Sequence, residues 1–286
     1  MTTAKERLDI RPLSDVIGAE ICGVDLSKPL GNETVNTIND AWHEHIVLLF
    51  RDQNIDADQQ IAFAERFGDV GVRSRPAERR PEGADYNASV MLVSNVKKDG
   101  KYIGSLPDGE MWFHHDMCYD KAPHKGTFLY AMELPSAGGN TLFANMYAAY
   151  DKLSDDMKQR VLGKRALQIY DFATRETVDI SDDISKYKHE IQPVTITHPV
   201  THRRALYVNP LITARIEDMS EADSRAMLNE LFAFADNSSF TYEHEWRKGD
   251  LMMWDNWCSC HARTDFPASE RRMLRRCTIK GQPLHE

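Results

Sequence analysis

Apolar positions along the chain follow two spacings, and the change from one to the other marks the elements. Val35, Ile38 and Trp42 recur at helical spacing, and the apolar run Ile46 to Phe50 then predicts a short buried strand. Asp56, Ala57, Asp58 and Gln59 have the form of a capping box, so a helix is expected to open there and carry Ile61, Ala64 and Phe67 before Gly68. From Arg73 to Glu110 the sequence turns polar and rich in Arg, Pro, Gly and Lys. That composition predicts a long surface loop with a strand at Val90 to Val93 inside it, and loops of such length are usually functional or disordered. Beyond Glu110 come short β-rich runs at Phe128 to Met132, Thr141 to Ala144, Val194 to His198, Ala205 to Asn209, Leu251 to Trp254 and Leu274 to Ile279. Gly138-Gly139 and Lys248-Gly249-Asp250 are turn signals between them, and helices are expected at Met146 to Leu153, Ser154 to Leu162 and Ser220 to Ala235. A mainly β chain with helical insertions (α+β) predicts a β-sandwich or jelly roll rather than a doubly wound parallel sheet. No glycine-rich phosphate loop is present to support a nucleotide-binding fold.

Composition narrows the function classes. The 286 residues carry 35 Lys and Arg against 44 Asp and Glu, and an acidic chain without a basic tail is a poor nucleic-acid binder. No uninterrupted apolar run exceeds five residues, so no membrane span or membrane partner is expected. Residues Met1 to Glu6 lack the basic and then apolar pattern of a secretory signal. The 5 cysteines are odd in number and irregularly spaced, which argues for free thiols in a reducing compartment, the cytoplasm.

The chemistry concentrates in Met111-Trp-Phe-His-His-Asp-Met-Cys-Tyr119. If this segment is extended, His114 and Asp116 point to one face and His115 to the other. A His and a carboxylate on one face supply two ligands of a 2-His-1-carboxylate triad, the set that leaves open positions on Fe(II). The third ligand must then be a distant His on a neighbouring strand. Taken alone, H-x-D is weak. The later strand Leu251 to Trp254 runs into a turn followed by His261, and Arg276 stands fifteen residues beyond that His. Alternation places Arg272, Leu274, Arg276 and Thr278 on one face of the next strand. Two arginines on an inner face are costly to bury unless an anion meets them, and an iron beside them describes a site for a chelating dicarboxylate.

These residues, with others, carry a resemblance to the TauD/TfdA family of Fe(II)- and 2-oxoglutarate-dependent dioxygenases. The early marks are Ile17-Gly-Ala-Glu-Ile-Cys-Gly-Val-Asp-Leu26, Arg51-Asp-Gln53 and Arg66-Phe-Gly68. The central marks are His114-x-Asp116 and Glu133-Leu-Pro-Ser-x-Gly-Gly-x-Thr-Leu142, and the late ones are Thr197-His-Pro-Val200, Trp254-Asp-Asn256, His261 and Arg272-x-x-x-Arg276. The resemblance implies one dioxygenase domain over residues 1–286, folded as a distorted double-stranded β-helix (a cupin-like jelly roll), with a substrate lid around 73–110. It implies His114, Asp116 and His261 as iron ligands, Arg276 and Thr141 at the distal carboxylate of 2-oxoglutarate, and Arg272 supporting the co-substrate or the substrate. Fe(II), 2-oxoglutarate and O2 are the implied cofactors, and a homo-oligomer (dimer or tetramer) is the implied assembly. The implied reaction oxidises an unactivated C–H bond of a small anionic substrate and yields succinate and CO2. Desaturation or cyclisation by the same ligands, or a non-catalytic cupin-type binding protein, are the alternatives.

Departures from the taurine enzymes bear on the substrate. Arg73, Met117, Tyr119, Leu211 and Ile212 fall where a pocket wall is expected, and they suit a bulkier apolar molecule with an anionic end. His115 reads as a packing residue, and His124, His198 and His202 as structural ones. Cys258-x-Cys260 has no partner pair at a zinc spacing.

Overall fold

The structure, a computed structural model, describes residues 8–73, 77–83, 86–171, 180, 183–234 and 237–286. Parts of the expected 73–110 loop (74–76 and 84–85) and the expected helix end at Ala235 lie outside the described residues.

Seven strands form the larger sheet, in the order Asp9–Pro12, Ala19–Cys22, Val47–Phe50, Leu251–Asp255, Gly126–Glu133, Met273–Ile279, Val90–Ser94. All neighbours are antiparallel except Ala19–Cys22 with Val47–Phe50. A second sheet has the order Thr241–His244, Thr141–Asn145, Ser259–Arg263, Met111–His114. The two share one core, where Phe143 meets Trp254 at 5.3 Å between ring centroids. Two antiparallel sheets closed on a common interior make the jelly roll that the strand-rich second half predicts.

Period-two alternation splits each central strand between two cores. Val47, Leu49, Leu129, Met252, Trp254 and Leu274 face the second sheet. Leu48, Phe50, Phe128, Met253, Cys277 and Ile279 face the other way, against two helices. The helix Asn32–His45 buries Val35, Ile38 and Trp42 there, as its spacing predicts. The helix Ala57–Ala64 starts with the expected capping box, Asp56 accepting from the Gln59 amide and Gln59 from the Asp56 amide. Each buried Phe or Trp in this outer core contributes about 1.5–3 kcal/mol. Gly126 is required where the layers meet, since a Cβ would lie 2.8 Å from the Trp42 ring.

Three sequence expectations change. The polar 73–110 stretch is more than a surface loop: its strand, Val90–Ser94, is the edge of the large sheet and pairs with Met273–Ile279. The region after Trp254 is more than a turn, because Ser259–Arg263 is a strand paired on both sides. Ser-Cys-His-Ala-Arg has little intrinsic preference for extension, so pairing rather than propensity decides it. Arg165–Tyr170, Lys188–Pro193 and Thr213–Ile216 form a further sheet that the hydrophobic pattern did not single out. Among the described residues, no helix is long and apolar enough to cross a membrane.

Candidate metal centre

Register places two histidines side by side. His261 pairs with His114 across adjacent strands, and their ring centroids lie 4.1 Å apart. The ligand strand stops at His114, so Asp116 does not reach the same face by strict alternation. It sits in the turn that follows, where Met117 takes φ 60°. That turn brings Asp116 Oδ1 to 4.0 Å from His114 Nε2, and Oδ2 to 4.0 Å from His261 Nε2. One ligand atom from each of the three lies within 4.8 Å of the others.

The protonation states follow from the surroundings. His114 Nδ1 is 2.8 Å from the Trp112 carbonyl, so Nδ1 carries the proton and Nε2 presents a lone pair. Burial pushes both His114 and His261 down from the ordinary histidine range, which keeps them neutral. Burial alone would raise the Asp116 carboxyl, but the Arg276 guanidinium and the surrounding donors hold it below the usual carboxylate range. The His114 Nε2 lone pair, the Asp116 carboxylate and the His261 ring therefore converge on a small volume, an arrangement that a cation among them would stabilise. Two neutral imidazoles and one carboxylate, all buried or nearly so, fit a divalent transition metal with coordination positions left over.

His115 is 0% exposed and packs on Tyr207 and Cys260, as expected of a structural residue. Burial pushes it down to about 3, and His124 down to about 4. The unfolded chain takes up these protons near pH 6.5, whereas the folded chain refuses them. Stability of the metal-free protein is therefore expected to fall as pH drops from 6.5 to 4.5, by up to about 1.4 kcal/mol per pH unit for each such histidine. Urea-unfolding midpoints at pH 7, 5.5 and 4.5 check this, and a constant midpoint would show that the histidines are not held neutral.

A chamber of about 620 Å³ adjoins the triad, walled by Met91, Leu106, Met117, Tyr119, Tyr170 and Ile212. Tyr119 stacks on Tyr170 at 5.4 Å. Arg276 reaches the chamber and places Nη2 at 3.0 Å from Asp116 Oδ1. Two expected wall residues behave differently. Arg73 lines the chamber, but its charge is met by Glu82 at 2.7 Å, so it is not an unmatched cation at the mouth. Leu211 is in the hydrophobic core instead of the wall, leaving Ile212 to face the chamber.

Arg272 and Thr141 are not among the residues that line the chamber. As alternation predicts, Arg272 points inward, while Arg275 turns outward to Gln60 and the carbonyls of Ile55 and Asp56. Arg272 is 2% exposed and donates through Nε and Nη2 to the Gly139 carbonyl at 3.2 and 2.8 Å. A Cβ at Gly139 would stand 2.8 Å from Arg272 Nε, and its φ of +67° favours glycine, which explains the Gly-Gly turn. Among the described residues no carboxylate pairs with Arg272, and burial pushes it down to about 9. Thr141 Oγ1 accepts from Trp246 Nε1 at 3.0 Å, so its own hydrogen remains available to donate.

Arg263 ties the chamber roof to the strand of His261, donating to the carbonyls of Leu106, Asp108 and Gly109. Thr127, and Asn256 behind it, had no role assigned by any expectation: Thr127 Oγ1 donates to Asp116 Oδ2 at 2.7 Å and accepts from Asn256 Nδ2 at 2.9 Å. A second group, His198, Asp255 and Cys258, also has its donor atoms close together. There the His198 ring is committed, Nδ1 accepting from the Val200 and Thr201 amides and Nε2 facing Asp255 at 3.0 Å, which makes it a structural clasp.

Comparison with known proteins agrees with this geometry. Residues 9–278 match the family described as taurine catabolism dioxygenase TauD, TfdA family. Pentalenolactone F synthase of Streptomyces avermitilis is 34% identical, covering 93% of this chain and 92% of its own. The alpha-ketoglutarate-dependent 2,4-dichlorophenoxyacetate dioxygenase of Cupriavidus pinatubonensis is 33% identical, covering 93% and 96%. A taurine dioxygenase structure from Burkholderia xenovorans superimposes with TM-score 0.80 at 27% identity, covering 96% of this chain and 91% of that one. AAD-2, solved with Mn(II) and N-oxalylglycine, gives TM-score 0.78 at 29% identity, covering 96% and 98%.

Proposed function

The chain belongs to the TauD/TfdA family and is an Fe(II)- and 2-oxoglutarate-dependent dioxygenase, and from that premise we propose that His114, Asp116 and His261 hold its iron. It couples oxidation of a small anionic organic substrate by O2 to conversion of 2-oxoglutarate into succinate and CO2. The observation that carries the site assignment is the convergence of one donor atom from each of His114, Asp116 and His261 within 4.8 Å, with the His114 Nε2 lone pair turned toward the others. Iron held by these three residues would be chelated by 2-oxoglutarate and would supply the O2 activation.

The chain's own groups divide the remaining work. Arg272 is a buried cation with no acidic partner among the described residues, and Thr141 keeps a hydroxyl hydrogen to donate. We assign both to the distal carboxylate of 2-oxoglutarate, because a buried guanidinium without a counterion is costly until an anion arrives. Arg276, first expected in that role, already touches Asp116 and faces the chamber, so we assign it to the substrate's charge. The segment around 73–110, which contributes Met91 and Leu106 to the chamber, is the lid that keeps water from the reacting end.

The substrate is a carboxylate or similar anion with an apolar body larger than taurine, suited to walls of Met, Leu, Ile and stacked Tyr. Succinate release with Fe(II) and 2-oxoglutarate, measured across phenoxyalkanoates, alicyclic carboxylates, sulfate esters and taurine, tests this. Bulky apolar anions should give the fastest release and taurine little. Efficient taurine turnover, or a best substrate that is neutral or cationic, would overturn it. Cysteines at five positions, none in a disulfide, suit the cytoplasm. A homo-oligomer there is the family-based expectation, and light scattering measures it.

A further inference from the structure

We propose that Trp254, Asn256 and Thr127 form a positioning relay that sets the direction of the Asp116 carboxylate. The proposal rests on the metal site assigned above and concerns residues that do not line the chamber.

The direction of the relay follows from donor chemistry. An indole nitrogen can only donate, and Trp254 Nε1 lies 2.8 Å from Asn256 Oδ1. That contact fixes the amide's orientation, so Nδ2 is the atom 2.9 Å from Thr127 Oγ1. Thr127 oxygen therefore accepts from Asn256, and its single hydrogen must go to Asp116 Oδ2, 2.7 Å away. No rotor or flip in the chain remains undetermined. Sheet register assembles it, because Thr127 stands opposite Trp254 in the adjacent strand and Asn256 follows the end of that strand.

The residue types fit such a task. Thr127 and Asn256 are both fully buried, where a Val at the strand position would pack as well without a hydroxyl to satisfy. The turn that carries Asn256 is itself held, since Asp255 accepts from the Trp257 amide through Oδ1 and faces His198 through Oδ2.

Arg276 gives the relay something to oppose. Its Nη2 holds Asp116 Oδ1 at 3.0 Å while Thr127 holds Oδ2. Two contacts from different directions fix the carboxylate's torsion. Without Thr127, the carboxylate is free to rotate toward the guanidinium, whose fork favours binding both oxygens at once. Rotation in that direction withdraws Asp116 from the two imidazoles.

The test uses Co(II) as probe on the metal-free full-length protein, with affinity and visible spectrum as readouts. Thr127→Val is expected to weaken Co(II) binding roughly 10- to 100-fold and to change the spectrum, the range usual for loss of a ligand's hydrogen-bond partner. Thr127→Ser, which keeps the hydroxyl, is expected to restore both. Thermal unfolding of the metal-free variants is measured alongside, because a purely structural role would move that midpoint without separating Val from Ser in metal affinity. Should Thr127→Val not fold, Asn256→Ala carries the test, because it leaves the hydroxyl but frees its direction, and weaker Co(II) binding is again expected. Parent-like affinity in Thr127→Val (or in Asn256→Ala when that variant replaces it), or equal loss in Thr127→Ser, overturns the relay. Failure of the parent to bind Co(II), or tight binding by His114→Ala, overturns the metal site instead.

Discussion

Alanine at His114 or at Asp116 is expected to abolish both iron retention and succinate formation. The three donors are within 4.8 Å of one another, and removing one leaves two, too few to hold Fe(II) against water. Loss of a mere supporting hydrogen bond weakens a metal site by up to about 100-fold, so loss of a ligand should exceed that. Asp116→Ala carries an added cost, because it leaves the Arg276 guanidinium without its ion-pair partner and the Thr127 hydroxyl without its acceptor. His115→Ala is the control: that ring packs on Tyr207 and is not among the three converging donors, so its loss should lower stability and spare iron binding. Iron per chain after desalting, with succinate measured in parallel, decides the matter. Near-parental turnover in both ligand variants with iron supplied, or a dispensable His114 beside an essential His115, would show that the wrong residues are named.

Arg272→Lys is expected to raise the 2-oxoglutarate concentration for half-maximal rate by roughly 10- to 100-fold, equivalent to about 1.5–3 kcal/mol for a charge-assisted contact. Lysine keeps the charge but loses the planar fork that now grips the Gly139 carbonyl and would meet a carboxylate. Thr141→Val should act in the same direction with a smaller effect, since one neutral hydroxyl donor is lost. Iron binding should survive in both variants, because neither residue is among the donors that converge on the centre. Arg276→Lys supplies the contrast. If Arg276 serves the substrate, its variant shifts half-saturation by the primary substrate and leaves that for 2-oxoglutarate almost unchanged. The reverse pattern would return the co-substrate carboxylate to Arg276.

Much of this molecule was legible from its residue order, and the legible parts share a physical cause. Helix caps and alternating apolar positions are local: Asp56 and Gln59 form their capping box within one turn, and Val35, Ile38 and Trp42 share one helix face by geometry alone. Motif spacing carried the identity of the candidate ligands, because His114-x-Asp116, His261 and the paired arginines occur in the family's order. What local pattern could not supply was anything set by register across the sheets. The strand carrying His261 has weak β-propensity and forms because it is paired on both sides. Asp116 reaches the histidines through a turn and not through alternation, and that turn requires a positive φ at Met117, a residue type that gives no such signal. The separation of roles between the two arginines is likewise tertiary. Four residues apart on one inner face, Arg272 and Arg276 look equivalent in the sequence. Only the packing of the second sheet puts a carbonyl and, among the described residues, no carboxylate beside Arg272, and Asp116 beside Arg276. Charge partners depend on distances through space, and distances between residues far apart in the chain do not exist until the sheets close.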